Sequence, residues 1–416
     1  MASRFAWIDI DEASRRTMLD FIDKFRDQGT LDELGIGTIR DAFADYFFPG
    51  TTTVQTRARY FLFVPWIFRR LEEKRTPSAE MSRRLKDAEF ALLEAMREAG
   101  VGEGERLIGR QSGFNLQRWP SNIYWAGLGT WGIRKFPGSQ EAYHRSLDAF
   151  YRHSRNVAAD PEAGLGDARR VNWDPDPHFP KAPDGFPKGA TMQLRKEDAE
   201  YLRFKIRTTC PNSLLSELLA DSSAVDAESI WMLPKLADLP SALRVQIGNA
   251  RWFAHAIHGG NLLYYWSVAH ADKQTALTDQ AEPALAKWAS ALGSEWSVFL
   301  EWAAARKIFW DSPAFLESRV PNRTQRFVDD WIDDLVKQGT PKEIWRRESA
   351  LRLVKDREFQ TKGSARARLW NAEQRRRWDP SGIPTMLDFR WNIASCILGD
   401  IQQGLRAEPA LDSERR

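Results

Sequence analysis

Hydrophobic residues recur every three to four positions along most of the chain, which is the spacing of one face of an α-helix. The pattern predicts helices over residues 11–26, 31–48, 51–74, 78–100, 141–155, 196–207, 212–220, 243–271, 281–302, 324–337, 342–354 and 385–405. The glycine pair Gly259 and Gly260 predicts an interruption of the helix over residues 243–271. We therefore expect a mainly α fold: a multi-helix protein of two lobes, with a few short strands at most.

Two segments interrupt the helical pattern. The stretch Val101–Gly138 is rich in glycine and aromatic residues, which predicts loops with short strands or helical turns. The stretch Trp173–Pro187 contains five prolines, which predict an extended connector. We therefore predict an N-terminal helical domain (residues 1–160) with a glycine turn and an aromatic loop. A proline-rich connector (161–190) and a C-terminal helical domain (191–416) follow.

Composition narrows the class of protein. With 416 residues, 43% hydrophobic and 28% charged, the chain is long enough for a large core. It has no apolar run of membrane-spanning length and no apolar signal region. Two cysteines, Cys210 and Cys396, are too few for a disulfide framework, so we expect a cytoplasmic protein without membrane contact. The net charge of +3 allows nucleic-acid binding without requiring it.

The eighteen tryptophans are an unusually large number for this length. Tryptophan beside arginine is typical of surfaces that stack on nucleic-acid bases. The alternative is that most of these side chains belong to the core, where aromatic residues contribute much of the buried area.

The turn Leu34–Gly37 resembles the glycine turn of helix-hairpin-helix motifs, in which backbone N–H groups bind a phosphate. It predicts DNA contacts at Gly35 and Gly37, although the usual preceding proline is missing. The alternative is a helix boundary at which Thr38 is the N-cap and Asp41 completes a capping box.

Asp41 and Asp45 are four residues apart, so they share a helix face and are the candidate catalytic residues. One carboxyl of such a pair could have a raised pKa and activate water. A salt bridge from Arg40 to either aspartate is the alternative. Donors at the start of the next predicted helix could bind phosphate: Gln55, Arg57 and Arg59.

Two further segments could line a base pocket. In Ser121–Phe136, an amide could read a base edge and an aromatic ring could stack, which predicts roles for Asn122, Tyr124 and Trp125. In Asn249–Trp266, a polar stripe beside two glycines could line the same pocket: His258, Asn261 and Tyr264. Bulky side chains under tight turns and a satisfied buried network are the alternatives. His255 and His258 have no third ligand at a known spacing, so no metal site is expected.

The run Lys362–Trp378 carries six basic residues, two tryptophans and one acid. It is the best candidate for contact with a DNA backbone, through Arg366, Arg368, Arg375, Arg376 and Arg377. A solvated helix face is the alternative. The chain lacks a Walker loop, a dinucleotide fingerprint, a nucleophile elbow and a cysteine zinc signature, so we expect no cofactor.

Four stretches together resemble an uncharacterised bacterial family catalogued as a domain of unknown function: GTIRDAFADYFFPGTTTVQTRARYFLFVPW, SNIYW, HGGNLLY and LDFRW. The resemblance covers nearly the whole chain. It implies a cytoplasmic protein encoded among genes for defence against phage and foreign DNA, with a nucleic-acid target, which we expect to be phage or foreign DNA.

These features lead to three functional hypotheses. The first is a DNA glycosylase that flips a modified base and excises it, leaving an abasic site. In that scheme Asp41 or Asp45 assists water or stabilises the sugar cation, while Asn122 and Tyr124 hold the base. The second is a non-enzymatic DNA-binding or scaffold subunit of a defence system that works with a helicase or nuclease. The third is a metal-dependent nuclease that uses the aspartates.

Overall fold

The computed structural model describes residues 32–159, 171–380 and 382–407. These residues form fifteen α-helices: α1 (Gly37–Phe47), α2 (Tyr60–Glu73), α3 (Ser78–Glu98), α4 (Pro120–Thr130), α5 (Gln140–Ala159), α6 (Lys196–Thr209), α7 (Leu214–Leu218), α8 (Ser241–Ala271), α9 (Thr275–Ser294), α10 (Trp296–Ala304), α11 (Arg306–Trp310), α12 (Asn322–Gln338), α13 (Glu348–Lys362), α14 (Ala372–Arg376) and α15 (Trp391–Arg406). The one β-bridge among them joins Arg134 and Trp173. The mainly α fold is confirmed, and the helix predicted over residues 11–26 lies outside the described part.

The chain divides into two compact units. The first contains Met1–Ala42 and Asn249–Leu387, and the second contains Phe43–Gly248 and Asp388–Arg416. Two of the three unit boundaries fall inside helices α1 and α8, and the third falls between Leu387 and Asp388, before α15. Each unit thus combines segments that are distant in sequence, whereas the predicted domains were continuous. The division into domains at residues 1–160 and 191–416, joined by the connector 161–190, stays a prediction.

Helix α2 lies in the core of the second unit. Every residue from Tyr60 to Phe68 is buried, as expected for a helix that is hydrophobic on all sides. It packs against α3 and α4, and α6 packs against α15. The helix predicted from residue 51 begins only at Tyr60, so the threonines at 51–53 do not cap it.

Helix α4 forms where the sequence predicted loops. Pro120 occupies the first helical turn, where a missing N–H costs no hydrogen bond. Tyr124 and Leu128, four residues apart, are fully buried. Position 127, inside this helix, requires glycine, because a Cβ there would lie 2.2 Å from the Gly50 carbonyl oxygen. Glycine therefore serves close packing here, and its apparent loop signal was misleading.

The described part of the proline-rich segment is packed within the second unit. Trp173, Phe179 and Phe186 are each less than a tenth exposed. The indole N–H of Trp66 donates to the Pro180 carbonyl at 2.7 Å. The prolines interrupt regular structure as predicted, but from residue 171 onward the segment contributes to a core.

Helix α8 runs through Gly259 and Gly260 without a break, although the sequence predicted an interruption there. A Cβ on Gly259 would lie 2.1 Å from the Trp288 ring. The indole N–H of Trp288 donates to the His255 carbonyl at 2.7 Å. The missing side chain thus lets α9 approach α8 closely in the first unit.

Candidate nucleic-acid interface

Helix α13 carries the candidate site on the first unit. Ala350, Val354, Arg357 and Glu358 form its buried face, and it ends at Gly363, whose φ is +73°. The opposite side of the helix is exposed. On it, Lys355 and Phe359 lie along one flank, and Asp356 and Gln360 lie along the other. One helix therefore presents two different surfaces.

A buried network fixes the loop that follows α13. The fully buried carboxylate of Glu358 accepts hydrogen bonds from the Tyr264 hydroxyl (2.7 Å) and the Lys362 ammonium (3.0 Å). It also accepts from the backbone N–H groups of Arg368 and Leu369, both at 2.8 Å. Residues 363–371 are therefore anchored by a side chain of the preceding helix.

Glu33 completes this network with a second carboxylate. It pairs with Lys362 and accepts from the Arg368 guanidinium at 2.6 Å. Burial acts to raise the pKa of Glu33, but the charges of Lys362 and Arg368 outweigh it, so the net pKa is lowered. Two predicted site residues, Tyr264 and Arg368, thus meet here in a structural role.

An exposed aromatic pair lies on the anchored loop and α13. Trp370 is the only tryptophan in the described part of the chain that is exposed, at 50%. Its indole N–H donates to the Lys355 carbonyl at 3.1 Å, and the Lys355 ammonium lies 4.7 Å from its ring centroid. The Phe359 ring, 40% exposed, lies 5.0 Å away. We call Trp370, Phe359 and Lys355 the platform.

The predicted DNA-binding arginines near the platform divide into two groups. Arg368, Arg375 and Arg377 pair with Glu33, Asp272 and Glu373 respectively. Arg366 and Arg376 are exposed, and Arg376 forms no ion pair with any described residue. The basic run is thus partly a structural element and partly a charged surface.

A groove of about 500 Å³ lies between α12 and α13. Eight residues line the groove, and all except Phe327 and Leu353 are charged or polar. The eight are Arg323, Arg326, Phe327, Asp330, Leu353, Asp356, Arg357 and Gln360. Arg323 and Arg326 are exposed and pair with no carboxylate in the described segments. The groove therefore offers two available guanidinium groups beside two carboxylates.

Arg357 connects the groove to the glycine turn. Its guanidinium is 2% exposed and donates to the carbonyl oxygens of Leu34 (2.7 Å) and Gly35 (2.9 Å). Burial lowers its pKa; the charge of Asp32 acts in the opposite direction and that of Arg323 in the same direction. A Cβ on Gly35 would lie 2.9 Å from this guanidinium.

The N–H groups of the glycine turn already have an acceptor. The Asp32 carboxylate accepts from Ile36 (2.6 Å) and Gly37 (2.7 Å) at the start of α1. Gly35 has φ +61°, which glycine adopts without strain. The turn thus binds an anionic group as the motif predicts, but that group belongs to the chain itself. Phosphate binding at Gly35 and Gly37 stays a prediction.

The two candidate catalytic aspartates both lie on α1 and both contact arginines. Arg40 donates to Asp41 at 3.1 Å, the salt bridge that the sequence left open. Arg390, which sequence reasoning missed, donates to Asp45 at 2.5 Å. Both carboxylates are substantially exposed, at 44% and 62%. Their catalytic role stays a prediction.

Of the three predicted phosphate donors after α1, Gln55 and Arg59 are buried in the second unit, and the side chain of Arg57 is 11% exposed. Gln55 bonds to the backbone of Gly50 and Thr52. Arg57 makes a bidentate pair with Asp400, both bonds at 3.0 Å from its Nε, and also pairs with Glu105. Arg59 is 2% exposed and pairs with the fully buried Asp198. These cations organise the core around α2.

The SNIYW residues lie on α4 in the second unit. Tyr124 is fully buried, and its hydroxyl accepts from the Thr56 N–H at 2.9 Å. Trp125 is 8% exposed, and its indole N–H donates to the Gly138 carbonyl at 2.9 Å. Asn122 is exposed and donates to Gln140 at 2.6 Å. Of these three side chains, only Asn122 is accessible to a ligand in this conformation.

The remaining predicted pocket residues lie on α8 in the first unit. Burial, together with the charge of His255, lowers the pKa of His258 to about 4, so its imidazole is neutral at pH 7. Its Nδ1 atom is buried without a hydrogen-bond partner among the described residues. Asn261 is half-buried. Together with Tyr264 they lie along the predicted polar stripe, which faces the interior.

The model of a protein family of unknown function, DUF6361, matches residues 2–404. The chain belongs to this family. No curated protein and no solved structure matches it. Membership in DUF6361 therefore confirms the resemblance but assigns neither a reaction nor a site residue.

Two further observations concern the described residues of this DUF6361 protein. Among the described residues, no group of three or more histidine, cysteine, aspartate or glutamate side chains could hold a metal ion. No helix in the described segments is both long and apolar enough to cross a membrane. The site that the geometry favours is the surface formed by the platform, Arg376 and the groove.

Sequence reasoning identified the basic run but missed Lys355, Phe359, Arg323 and Arg326. One signal was available for Phe359. Ala350 and Val354, four positions apart, mark an apolar face in the sequence, and Phe359 lies five positions after Val354, away from that face. A large apolar residue at an exposed helical position next to a basic run indicates a contact surface.

Proposed function

We propose that this protein binds DNA through the first unit, using the platform and the basic side chains around it. The observation that carries the proposal is the exposure of Trp370. Burying a large apolar side chain stabilises a fold by roughly 1.5–3 kcal/mol, yet this indole stays half exposed within the most basic segment of the sequence. An aromatic plane beside cations is the usual means of binding nucleic-acid bases.

The local charge supports this proposal. Residues 352–377 contain nine basic and three acidic side chains, a net charge of +6, whereas the whole chain has +3. Two of the three acids, Glu358 and Glu373, are already paired with cations. A concentrated positive surface on a nearly neutral protein favours a polyanion at that surface.

The proposal corresponds to the second functional hypothesis, a DNA-binding protein. Excision would have to use Asp41 or Asp45, and both are hydrogen-bonded to arginines. Base excision, nuclease activity and the phage-defence context stay predictions. A cytoplasmic location fits a DNA ligand and the two free cysteines, Cys210 and Cys396.

The test is fluorescence anisotropy of a labelled DNA oligonucleotide with the full-length protein over a range of salt concentrations. The double variant Lys355→Ala/Arg376→Ala removes two cations of the proposed surface. Each phosphate contact contributes about 0.7–0.9 to the slope of log K against log salt, so the slope should fall by about 1.5.

The matched control is Arg83→Ala/Arg84→Ala, which removes two exposed arginines of α3 that both pair with Glu80 and with no other carboxylate among the described residues. It should leave the affinity and the slope unchanged. Failure of the wild-type protein to bind any DNA at low salt, or an equal loss in both double variants, would refute the proposal.

A further inference from the structure

The shape of the platform narrows the class of ligand. The Lys355 ammonium lies 4.7 Å from the Trp370 ring centroid, and the Phe359 ring lies 5.0 Å away at an interplanar angle of 50°. With these two contacts in place, half of the surface of Trp370 is still exposed to solvent, so part of the indole is available for stacking. In an intact duplex each base already stacks on its neighbours, so only an unpaired or flipped base can offer its plane to a side chain.

The platform and the groove lie on opposite flanks of the exposed side of α13. Lys355 and Phe359 lie on the flank of the platform, while Leu353, Asp356 and Gln360 line the groove on the other flank. With side chains, a helix is about 10–12 Å wide. A strand of a few nucleotides can therefore cross α13 from the platform to the groove.

The mixed charge of the groove favours a single strand over a duplex. Arg323 and Arg326 are free to bind phosphates, whereas the exposed carboxylates of Asp330 and Asp356 would repel a surface made only of phosphates. Carboxylates do accept hydrogen bonds from base amino groups. Unpaired bases present such groups next to their own phosphates, and both side-chain types then find partners.

We propose that the ligand is single-stranded nucleic acid, with a base stacked on Trp370 and the adjoining backbone bound by Arg323 and Arg326. This inference rests on the DNA-binding function proposed above and specifies its substrate class. The platform supplies stacking without sequence preference, and the groove supplies phosphate contacts. Sequence-tolerant binding with a strong salt dependence follows from this combination.

The test compares a labelled thymidine 30-mer with a blunt 30-base-pair duplex, using wild-type protein and the variants Trp370→Ala and Trp370→Phe. Wild type should bind the single strand more tightly. Loss of one stacked base should weaken single-strand binding roughly 5- to 150-fold, with little change for the duplex. Trp370→Phe should retain most of the affinity, because phenylalanine also stacks.

The control variant is Phe204→Ala, which removes an exposed aromatic side chain (53%) of the second unit. Arg323→Ala/Arg326→Ala should lower the salt slope for single strands by about 1.4. A uridine 30-mer distinguishes RNA from DNA; equal binding supports a site that reads bases and phosphates but not the sugar.

The outcomes separate the two proposals. If Trp370→Ala weakens single-strand and duplex binding equally, or neither, the single-strand inference fails while salt-dependent DNA binding stands. If the wild-type protein binds neither probe, the DNA-binding function itself fails.

Discussion

Replacing Glu358 with glutamine should release the loop that carries Trp370. The Glu358 carboxylate is fully buried and accepts four hydrogen bonds, two of them from backbone N–H groups of the loop. An amide has the same shape but only one accepting oxygen. In either orientation its NH₂ group faces at least one donor. That donor is the Leu369 N–H in one orientation, and the Arg368 N–H, the Tyr264 hydroxyl and the Lys362 ammonium in the other.

The expected magnitude follows from these contacts. A hydrogen bond to a charged group contributes about 1.5–3 kcal/mol, and the loss of charge also leaves Lys362 less well compensated in a buried site. We expect Glu358→Gln to reduce the free energy of local opening by about 2–4 kcal/mol, which corresponds to roughly 30- to 800-fold faster amide exchange.

Hydrogen–deuterium exchange followed by mass spectrometry measures this opening directly. Peptides covering residues 363–371 report on the N–H groups of Arg368 and Leu369. The control Glu348→Gln changes an exposed acid of the same helix and should shift stability by less than about 0.5 kcal/mol. If both amides keep their wild-type protection in Glu358→Gln, the network does not anchor the loop.

Three other outcomes follow from the structure. Burial raises the pKa of Glu89 to about 8 from 4.5, so its contribution to stability is complete below pH 4.5 and is lost as the pH rises to about 8; Glu89→Gln, which mimics the neutral acid, should abolish this loss in urea unfolding at pH 5 and pH 8. Gly259→Ala places a Cβ 2.1 Å from the Trp288 ring and should lower the melting temperature by an amount equivalent to about 1–3 kcal/mol, whereas Gly248→Ala in the same helix, with no atom within 4 Å of its Cβ, should not. Binding without excision predicts no alkali-labile sites in DNA incubated with the protein and EDTA; sites that appear, and disappear in Asp41→Asn, would establish the glycosylase instead.

Helical periodicity predicted most of the fold because long helices repeat their signal. In α12, Phe327, Val328, Trp331, Ile332 and Leu335 form one buried face, and the sequence shows it directly. Periodicity failed for α4, where the glycines read as loop signals. Those glycines allow the Gly50 carbonyl to approach Gly127, a contact across 77 positions that local sequence cannot display.

The candidate site was less predictable for the same reason. Arg368 and Arg376 look alike in the sequence, but Arg368 pairs with Glu33, 335 positions away, while Arg376 stays exposed. Trp370 and Trp378 belong to the same basic run, and only the fold buries Trp378 against Tyr265. Composition can locate a charged segment, but tertiary contacts decide which of its side chains remain available.

The anchoring of the loop and the exposure of Trp370 are best explained together. A buried network of two acids, two cations and a tyrosine contributes little more to stability than a well-packed apolar core of similar volume would. What it does provide is a fixed position for residues 363–371, because it binds their backbone as well as their side chains. The exposed part of the Trp370 indole buries no apolar surface in the folded chain. However, an exposed aromatic ring held in a fixed position reduces the entropy cost of binding a flexible strand, because the ring does not have to be ordered when the strand binds.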